Sequence, residues 1–322
     1  MSDGHTPGYP VRDSGDAWVE SADGRKFWGR YGAAGLLVHD PARGVLLQHR
    51  ADWSHHGGTW GIPGGARHQY ESAVDGAIRE AGEEAGVPND AIELRFDSVL
   101  DLGFWSYTTV IAEAIRPFEA VVSDPESIAL DWVPVTQVET LPLHPGFADS
   151  WPELRAHLER SVTIVVDVAN VVGSRPDGWW KDRAGAAAKT LDRLARLADA
   201  GIAAEALELD HHRWWPAIVA VVEGEARGAR AGAGVAAGAA GAGAADAAVG
   251  SAAAGELRAG LRVVDARGSG DDAIVEQLAG LSGSVVVVTS DRGLRERVEA
   301  AGAGVRGAGW LLDQLDAVDA AG

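Results

Sequence analysis

Four glutamates crowd residues 71–84, with an arginine among them: Glu71, then Arg79, Glu80, Glu83 and Glu84. If this stretch is helical, Glu80, Glu83 and Glu84 are three and four positions apart and share one face. Like charges so placed repel, at a cost of roughly a few tenths of a kcal/mol per pair. A hard divalent cation reverses that sign, because Mg²⁺ prefers carboxylate and phosphate oxygens. Arg79 is placed to hold a glutamate by charge-assisted hydrogen bonds. Gly76, one turn before Glu80, leaves room above the acidic face. The chemistry that suits such a set is metal-assisted attack on a phosphate. The plain alternative is a solvated acidic helix, as most runs of charge are.

A helix carrying these groups needs an apolar stripe to hold it, and Val74, Ile78, Ala81 and Ala85 supply one. The spacing predicts a helix over residues 69–85, ended by Gly86 in a left-handed position and stopped by Pro88. Ahead of it, residues 33–38 and 45–48 read as strands around a turn at 39–44. Residues 51–65 form a loop rich in Gly and His. Behind it, residues 98–100, 107–112 and 129–133 read as strands. Residues 151–160 read as a closing helix, with Pro152 near its first turn. Residues 1–24 read as a flexible polar tail.

The order Gly65, five residues, Glu71, seven residues, then Arg79-Glu80-Ala81-Gly82-Glu83-Glu84-Ala85-Gly86-Val87 resembles the Nudix box of MutT-like hydrolases. All seven fixed residues of that 23-residue pattern match, which outweighs the solvated-helix reading. The flanks, Trp60-Gly61-Ile62-Pro63-Gly64-Gly65 and residues 32–49, also resemble the family. The resemblance spans residues 25–158, the size of one domain. It implies an α/β/α sandwich with a mixed sheet that hydrolyses a nucleoside diphosphate linked to another group, in the manner of a nucleotide housecleaning pyrophosphohydrolase. It implies Mg²⁺ or Mn²⁺ bound by Glu80, Glu83 and Glu84, with the Gly65 carbonyl as a further ligand. Glu71 and Arg79 would brace loop and helix. The metal would polarise the phosphate and lower the pKa of the attacking water. Glu84 or Glu126 would accept the proton, although Glu126 also reads as a solvated loop residue. Trp53, Trp60, Phe104, Trp105 and Tyr107 offer stacking for a base or plain core packing, the favoured reading for Trp60. His55-His56 offers a phosphate contact or simply an exposed polar loop.

The second half changes character. Residues 161–168 are a nearly continuous β-branched run, which suits a parallel strand buried on both faces. Residues 217–222, 261–264 and 285–289 are of the same type, and helices are expected at 184–200, 272–281 and 293–300. Strand alternating with helix implies a doubly wound parallel α/β domain over residues 159–322. Residues 224–260 are mostly Gly and Ala and read as a flexible insertion rather than a broken helix. Asp167, Glu223, Asp265 and Asp291 follow the strands, at the ends where such sheets bind ligands. Carboxylates gathered there suit divalent ions and in-line phosphodiester hydrolysis. Helix capping by Ser290, Asp291 or Asp271 is the alternative. Asp167, inside a buried run, resists it.

The segments Val166-Asp167-Val168-Ala169-Asn170, Gly270-Asp271-Asp272 and Thr289-Ser290-Asp291-Arg292 resemble the acidic motifs of PIN/NYN-like nuclease domains. That resemblance, over about residues 160–318, implies a metal-dependent ribonuclease fold. Asp167, Asp271, Asp272 and Asp291 would be ligands, with Asn170 hydrogen-bonded near the first. RNA would be its partner, met by a local patch of Arg292, Arg295 and Arg297.

Composition bounds these readings. At 322 residues and 46% hydrophobic, the chain is too long for one core and long enough for two. Without cysteine it has neither disulfides nor Cys-ligated zinc. The first residues lack the basic start and apolar run of a signal peptide, and no run approaches the ~20 apolar residues of a membrane helix. A cytoplasmic protein is expected. In residues 1–158, 11 basic against 24 acidic residues give −13; in the remainder, 17 against 23 give −6. Such a balance disfavours non-specific nucleic-acid binding but suits sites whose metal ion supplies the positive charge. Three functional readings follow: a Mg²⁺-dependent Nudix hydrolase acting on a nucleotide-type small molecule, a bifunctional RNA-processing enzyme, and a non-catalytic nucleotide sensor. The last fits least, because every glutamate of the box is kept.

Overall fold

The computed structural model describes residues 13–175, 178–232 and 260–321. Two compact units emerge, one of residues up to Glu159 with Asp210–His212, the other of Arg160–Leu209 with the residues from Arg213 onward.

The first unit opens with a hairpin, β1 (Trp18–Glu20) and β2 (Lys26–Trp28). Residues 13–24 are therefore not the loose tail that their polar composition suggested. Trp18 lies opposite Trp28 with ring centroids 5.2 Å apart, and this cross-strand pair anchors three-residue strands too short to show a period. The rest of the expected tail, residues 1–12, lies outside the described residues.

The main sheet uses β3 (Ala33–Asp40), β4 (Gly44–Arg50), β5 (Trp60–Gly61), β6 (Gly64–Ala66), β7 (Ile92–Asp101), β8 (Ser106–Ala114) and β9 (Ser127–Val133). Its order is β7-β8-β3-β4-β5, with β6 paired to β3 and β9 to β4. β3 and β8 run parallel while β3–β4, β3–β6, β4–β5, β4–β9 and β7–β8 are antiparallel, so the sheet is mixed as expected. β3 runs past the expected residues 33–38 with His39 buried, which a hydrophobic pattern does not register, and β4 extends past 45–48 through the half-buried His49 and Arg50.

Helix α1 (Ala73–Ala85) turns Ala77, Ala81 and Ala85, all fully buried, onto Ala34, Leu36, Val38, Leu46 and Val110. Three alanines on one face bring the helix backbone close to the strands. Gly86 ends the helix at φ 64°, its N–H bonding back to Gly82 and that of Val87 to Ala81. Helix α2 (Pro145–Arg155) begins six residues before the expected start. Pro145, not Pro152, occupies its first turn, where a missing N–H costs nothing. Its inner side carries the buried Phe147, Trp151 and Leu154.

The second unit contains β10 (Val162–Asp167), α3 (Val168–Gly173), α4 (Arg183–Ala200), β11 (Ile202–Ala203), α5 (Ala204–Leu207), β12 (Arg213–Trp214), β13 (Ala217–Val222), β14 (Leu261–Asp265), α6 (Gly270–Leu278), β15 (Ser284–Val288), α7 (Arg292–Ala300), β16 (Gly304–Arg306) and α8 (Ala308–Ala321). Five strands form an all-parallel sheet in the order β14-β13-β10-β15-β16. Successive residues of β10 feed two cores. Ile164 and Val166 pack with Leu191 and Leu194 of α4 and Leu311 and Leu315 of α8. Val165 packs with Ile274 of α6 and Leu294 and Val298 of α7. Burial on both faces is the reason for the unbroken β-branched run. Of the Gly/Ala stretch expected as an insertion, residues 224–232 are described; there Arg230 reaches Asp265 at 2.7 Å. Residues 233–259 lie outside the described residues. Among the described residues no helix is long and apolar enough to cross a membrane.

Candidate active site

Pairing of β3 with β6 sets Gly35 opposite Gly64 and Ala34 opposite Gly65. A side chain at Gly64 would fall 2.5 Å from the Cα of Gly35, and one at Gly65 would fall 2.8 Å from the Glu80 carboxylate. Only glycine lets this strand approach β3 and α1 so closely.

Helix α1 starts at Ala73 rather than near residue 69. Ser72 caps it, its Oγ accepting from the Asp75 N–H at 3.0 Å. Tyr70 adopts φ 64°, outside the helical range. The bend sends Glu71 back to the helix, where it accepts from Arg79 Nε and Nη2 at 2.8 and 2.9 Å and from the His68 N–H at 2.9 Å. The Arg79 hydrogen bonds, helped by His68 and opposed by burial, hold the Glu71 carboxyl at about 2. Gly76 serves this pairing: a side chain there would meet Glu71 Oε2 at 3.1 Å. The room it leaves is filled by Glu71 and does not open above the acidic face. Arg79 also donates to Glu80 Oε1 at 2.8 Å, Glu83 Oε2 at 3.2 Å and the Ala66 carbonyl at 3.0 Å. Each of its five N–H donors is thereby used.

The three remaining glutamates differ in depth. Glu83 is exposed, whereas Glu84 is only 9% exposed and accepts a hydrogen bond from the Gly64 N–H at 2.9 Å. Burial pushes the Glu84 carboxyl up to about 8; the Gly64 N–H opposes this, Glu80 and Asp124 add to it, and Arg50 eases it through space. Burial also raises Glu80, against the pull of Arg79. Glu80 thus neighbours Glu83 through Arg79 Nη1 and Glu84 through their mutual charge, and carboxylate oxygens are the donors that a hard divalent cation prefers.

The other sequence candidates divide. Glu126 is half exposed and lies 3.8 Å from Arg50 Nη2. Trp53 is exposed, Trp60 stacks on His49 at 4.7 Å, and Phe104 and Trp105 both pack on Phe27. Burial and the charge of Glu84 raise the Tyr107 hydroxyl. Arg50, Asp124 and His144 were not singled out by sequence. All three lie far from residues 65–87 in the chain, and only folding brings them near.

In the second unit Asp167 ends β10. Its Oδ2 accepts from Thr289 Oγ1 at 2.9 Å and its Oδ1 from the Asn170 N–H at 3.1 Å, so Asp167 caps α3, the role its place in a buried run was expected to resist. The Asn170 side chain accepts from the Ser290 N–H at 2.8 Å. Burial raises Asp167, and Asp271 and Glu223 add to the shift. Burial, with Asp291 next, raises Asp271. Asp291 caps α7 through the Leu294 N–H at 2.8 Å, as the capping alternative held. Asp272 instead pairs with Arg297 at 2.6 Å, and Asp265 with Arg230. Glu223 accepts from the Gly270 N–H at 2.6 Å.

The family model described as NUDIX domain matches residues 29–154. "Putative 8-oxo-dGTP diphosphatase 3" of Mycobacterium tuberculosis is 50% identical over 155 residues, covering 45% of this chain and 71% of that protein. The "Nucleoside triphosphate pyrophosphatase/Nudix hydrolase fusion protein" of Bifidobacterium longum is 42% identical over 161 residues, covering 48% of this chain and 33% of that protein. Among solved structures, the Nudix hydrolase RenU of M. smegmatis is 50% identical, covers 44% of this chain and 94% of its own, and gives a TM-score of 0.41.

The depth of Glu84 has a consequence for stability. Without divalent ions its folded carboxyl titrates near 8, against 4.5 for an ordinary glutamate. The folded state then holds a proton that the unfolded state has lost, so this group's contribution falls as pH rises from about 4.5 to about 8. Glu71 acts in a separate window: its contribution is complete above 4.5 and is lost as pH falls toward 2. In EDTA, the stability of Glu84→Gln relative to wild type should therefore grow between pH 5 and 8 and level off above. Urea unfolding followed by circular dichroism at each pH checks this, and a difference independent of pH would contradict it.

Proposed function

Because this chain belongs to the NUDIX family and its first half is a Nudix pyrophosphohydrolase, we propose that it removes oxidised nucleoside triphosphates of the 8-oxo-dGTP class. The substrate class rests on the relative that is 50% identical over 155 residues. The observation that carries the site is that Glu80 and Glu83 share one guanidinium, Arg79, while Glu84 on the same helix is held by the Gly64 N–H. Mg²⁺ or Mn²⁺ would be held by these three carboxylates and the Gly65 carbonyl. Bound there, the ion polarises a phosphoryl oxygen and lowers the pKa of water. Glu71 and Arg79 keep the loop and α1 in register. Of the two candidate proton acceptors, Glu84 is favoured over Glu126, because it lies on α1 with Glu80 and Glu83, while Glu126 sits half exposed beside Arg50.

A second activity is supported by the other unit. We read residues 159–322 as a PIN/NYN-like nuclease-type domain, joined to a Nudix domain at residues 25–158. Its support is that Asp167 ends a parallel strand, where such sheets bind ligands, and is raised by Asp271, which Asp291 raises in turn. RNA is the partner this reading assigns, with Asp167, Asp271 and Asp291 as the ligands of a divalent ion. Asp272 keeps a lesser place, because Arg297 already neutralises it.

Two measurements test these readings. With Mg²⁺ or Mn²⁺, wild type should release pyrophosphate from 8-oxo-dGTP faster than from dGTP. Glu84→Gln should lose at least ~100-fold in rate while keeping its circular dichroism spectrum. Undiminished turnover in the variant would remove the site, and preference for dGTP would remove the substrate class. On end-labelled RNA, Asp167→Asn should abolish cleavage that Glu84→Gln retains. RNA left intact by wild type with either metal would end the nuclease reading.

A further inference from the structure

We propose that His55, His56 and His144 form a binding site for a first-row transition-metal ion of the zinc type, separate from the carboxylate site on α1. One ring nitrogen from each of the three lies within 4.8 Å of the others. The His55 and His56 ring centroids are 4.1 Å apart at 70°, and those of His56 and His144 are 4.7 Å apart at 85°. The rings thus meet edge to face and do not stack. Around a tetrahedral zinc with bonds of about 2.0–2.1 Å, neighbouring nitrogens stand roughly 3.3 Å apart. Rotation of side chains on a loop covers that difference.

The backbone already holds the three residues together. His56 has φ 56°, a conformation few non-glycine residues adopt. Its carbonyl accepts from Thr59 Oγ1 at 2.6 Å, and the His55 carbonyl accepts from Arg50 Nε at 3.1 Å. His144 comes from the turn before α2, where its N–H donates to the Trp60 carbonyl at 2.8 Å. The Trp60 N–H in turn donates to the Pro142 carbonyl at 2.8 Å, so β5 ties one loop to the other.

The chemistry of the cluster selects the ligand. Among the described residues, none of the three rings has a hydrogen-bond partner or a carboxylate in ion-pair reach, although His144 is half-buried. Their polar neighbours are one another and Arg50. Burial, then the charges of His56 and Arg50, hold His144 at about 4, so its ring is a neutral base at physiological pH. Three imidazoles without a carboxylate suit zinc, nickel or cobalt and suit Mg²⁺ poorly. An ion there would clamp the loop of residues 51–59 to the turn before α2 and leave a fourth position open. Arg50 links this place to the acidic site electrostatically, since its charge lowers both Glu84 and His144.

The test uses the full chain, stripped with EDTA and returned to buffer with excess Mg²⁺ to occupy the carboxylates. Zn²⁺ is titrated calorimetrically, and Co²⁺ is followed by its visible ligand-field absorption. Wild type and Glu84→Gln should each take up one Zn²⁺ and show the intense bands of four-coordinate Co²⁺. His56→Asn keeps a residue that tolerates positive φ, and it should weaken Zn²⁺ at least tenfold and lose those bands. His144→Gln should do the same. If His144→Gln misfolds, His56→Asn alone decides. Absence of Zn²⁺ uptake by wild type, or uptake unchanged in His56→Asn, would overturn the proposal. The second result would place the ion elsewhere, for instance at the hydrogen-bonded pair His157 and His211. Neither readout depends on nucleotide turnover.

Discussion

A single guanidinium sets the geometry of the acidic site. Arg79 points two donors at Glu71, one each at Glu80 and Glu83, and one at the Ala66 carbonyl. It therefore joins the loop before α1, the strand beneath that loop and two of the three clustered carboxylates on the helix. The fork geometry of arginine is what makes this possible, and a lysine ammonium has neither the donors nor the planarity. Because the positive charge is spent largely on Glu71, the remaining carboxylates stay under-neutralised. Glu84, reached by no arginine and buried beneath β6, bears the greatest cost. An oxygen-binding divalent ion would relieve that cost, as the proposed function requires.

Much of this site was legible because its chemistry is written in local spacing. Residues three and four apart on a helix share a face whatever surrounds them, and paired glycines announce a close backbone approach. What spacing withheld was depth. Glu83 and Glu84 are adjacent, yet one is exposed and the other buried, because the phase of α1 against β6 decides the matter. The first turn of α1 was misplaced for a related reason. Tyr70 and Glu71 suit a helix by propensity, but Glu71 is drawn out of it by Arg79. Contributions from Arg50 at the end of β4 and from Asp124 and His144 come from outside residues 65–87 and left no local signal.

The second unit was legible in its architecture and less so in its site. Strands buried on both faces leave unbroken β-branched runs, and these located β10, β13, β14 and β15 within a residue or so. The strand order reverses between β10 and β15, the place where doubly wound sheets form a crevice, and Asp167 and Thr289–Asp291 stand at those two strand ends. Sequence alone could not sort the carboxylates that follow the strands. Arg230 and Arg297 neutralise Asp265 and Asp272, while Asp167 and Asp271 have no ion-pair partner among the described residues and are raised by burial and by neighbouring acids.

On this reading the Glu71–Arg79 pair braces the acidic residues of α1 for a metal ion without itself binding it. Titration of Mn²⁺ into the full chain, followed by the electron paramagnetic resonance of the free ion, tests this most directly in wild type and Glu71→Gln. Loss of this supporting contact should weaken Mn²⁺ by about 10–100-fold while the helix content stays the same. Equal affinity in the two proteins would show that the carboxylates need no such brace, and would contradict the account.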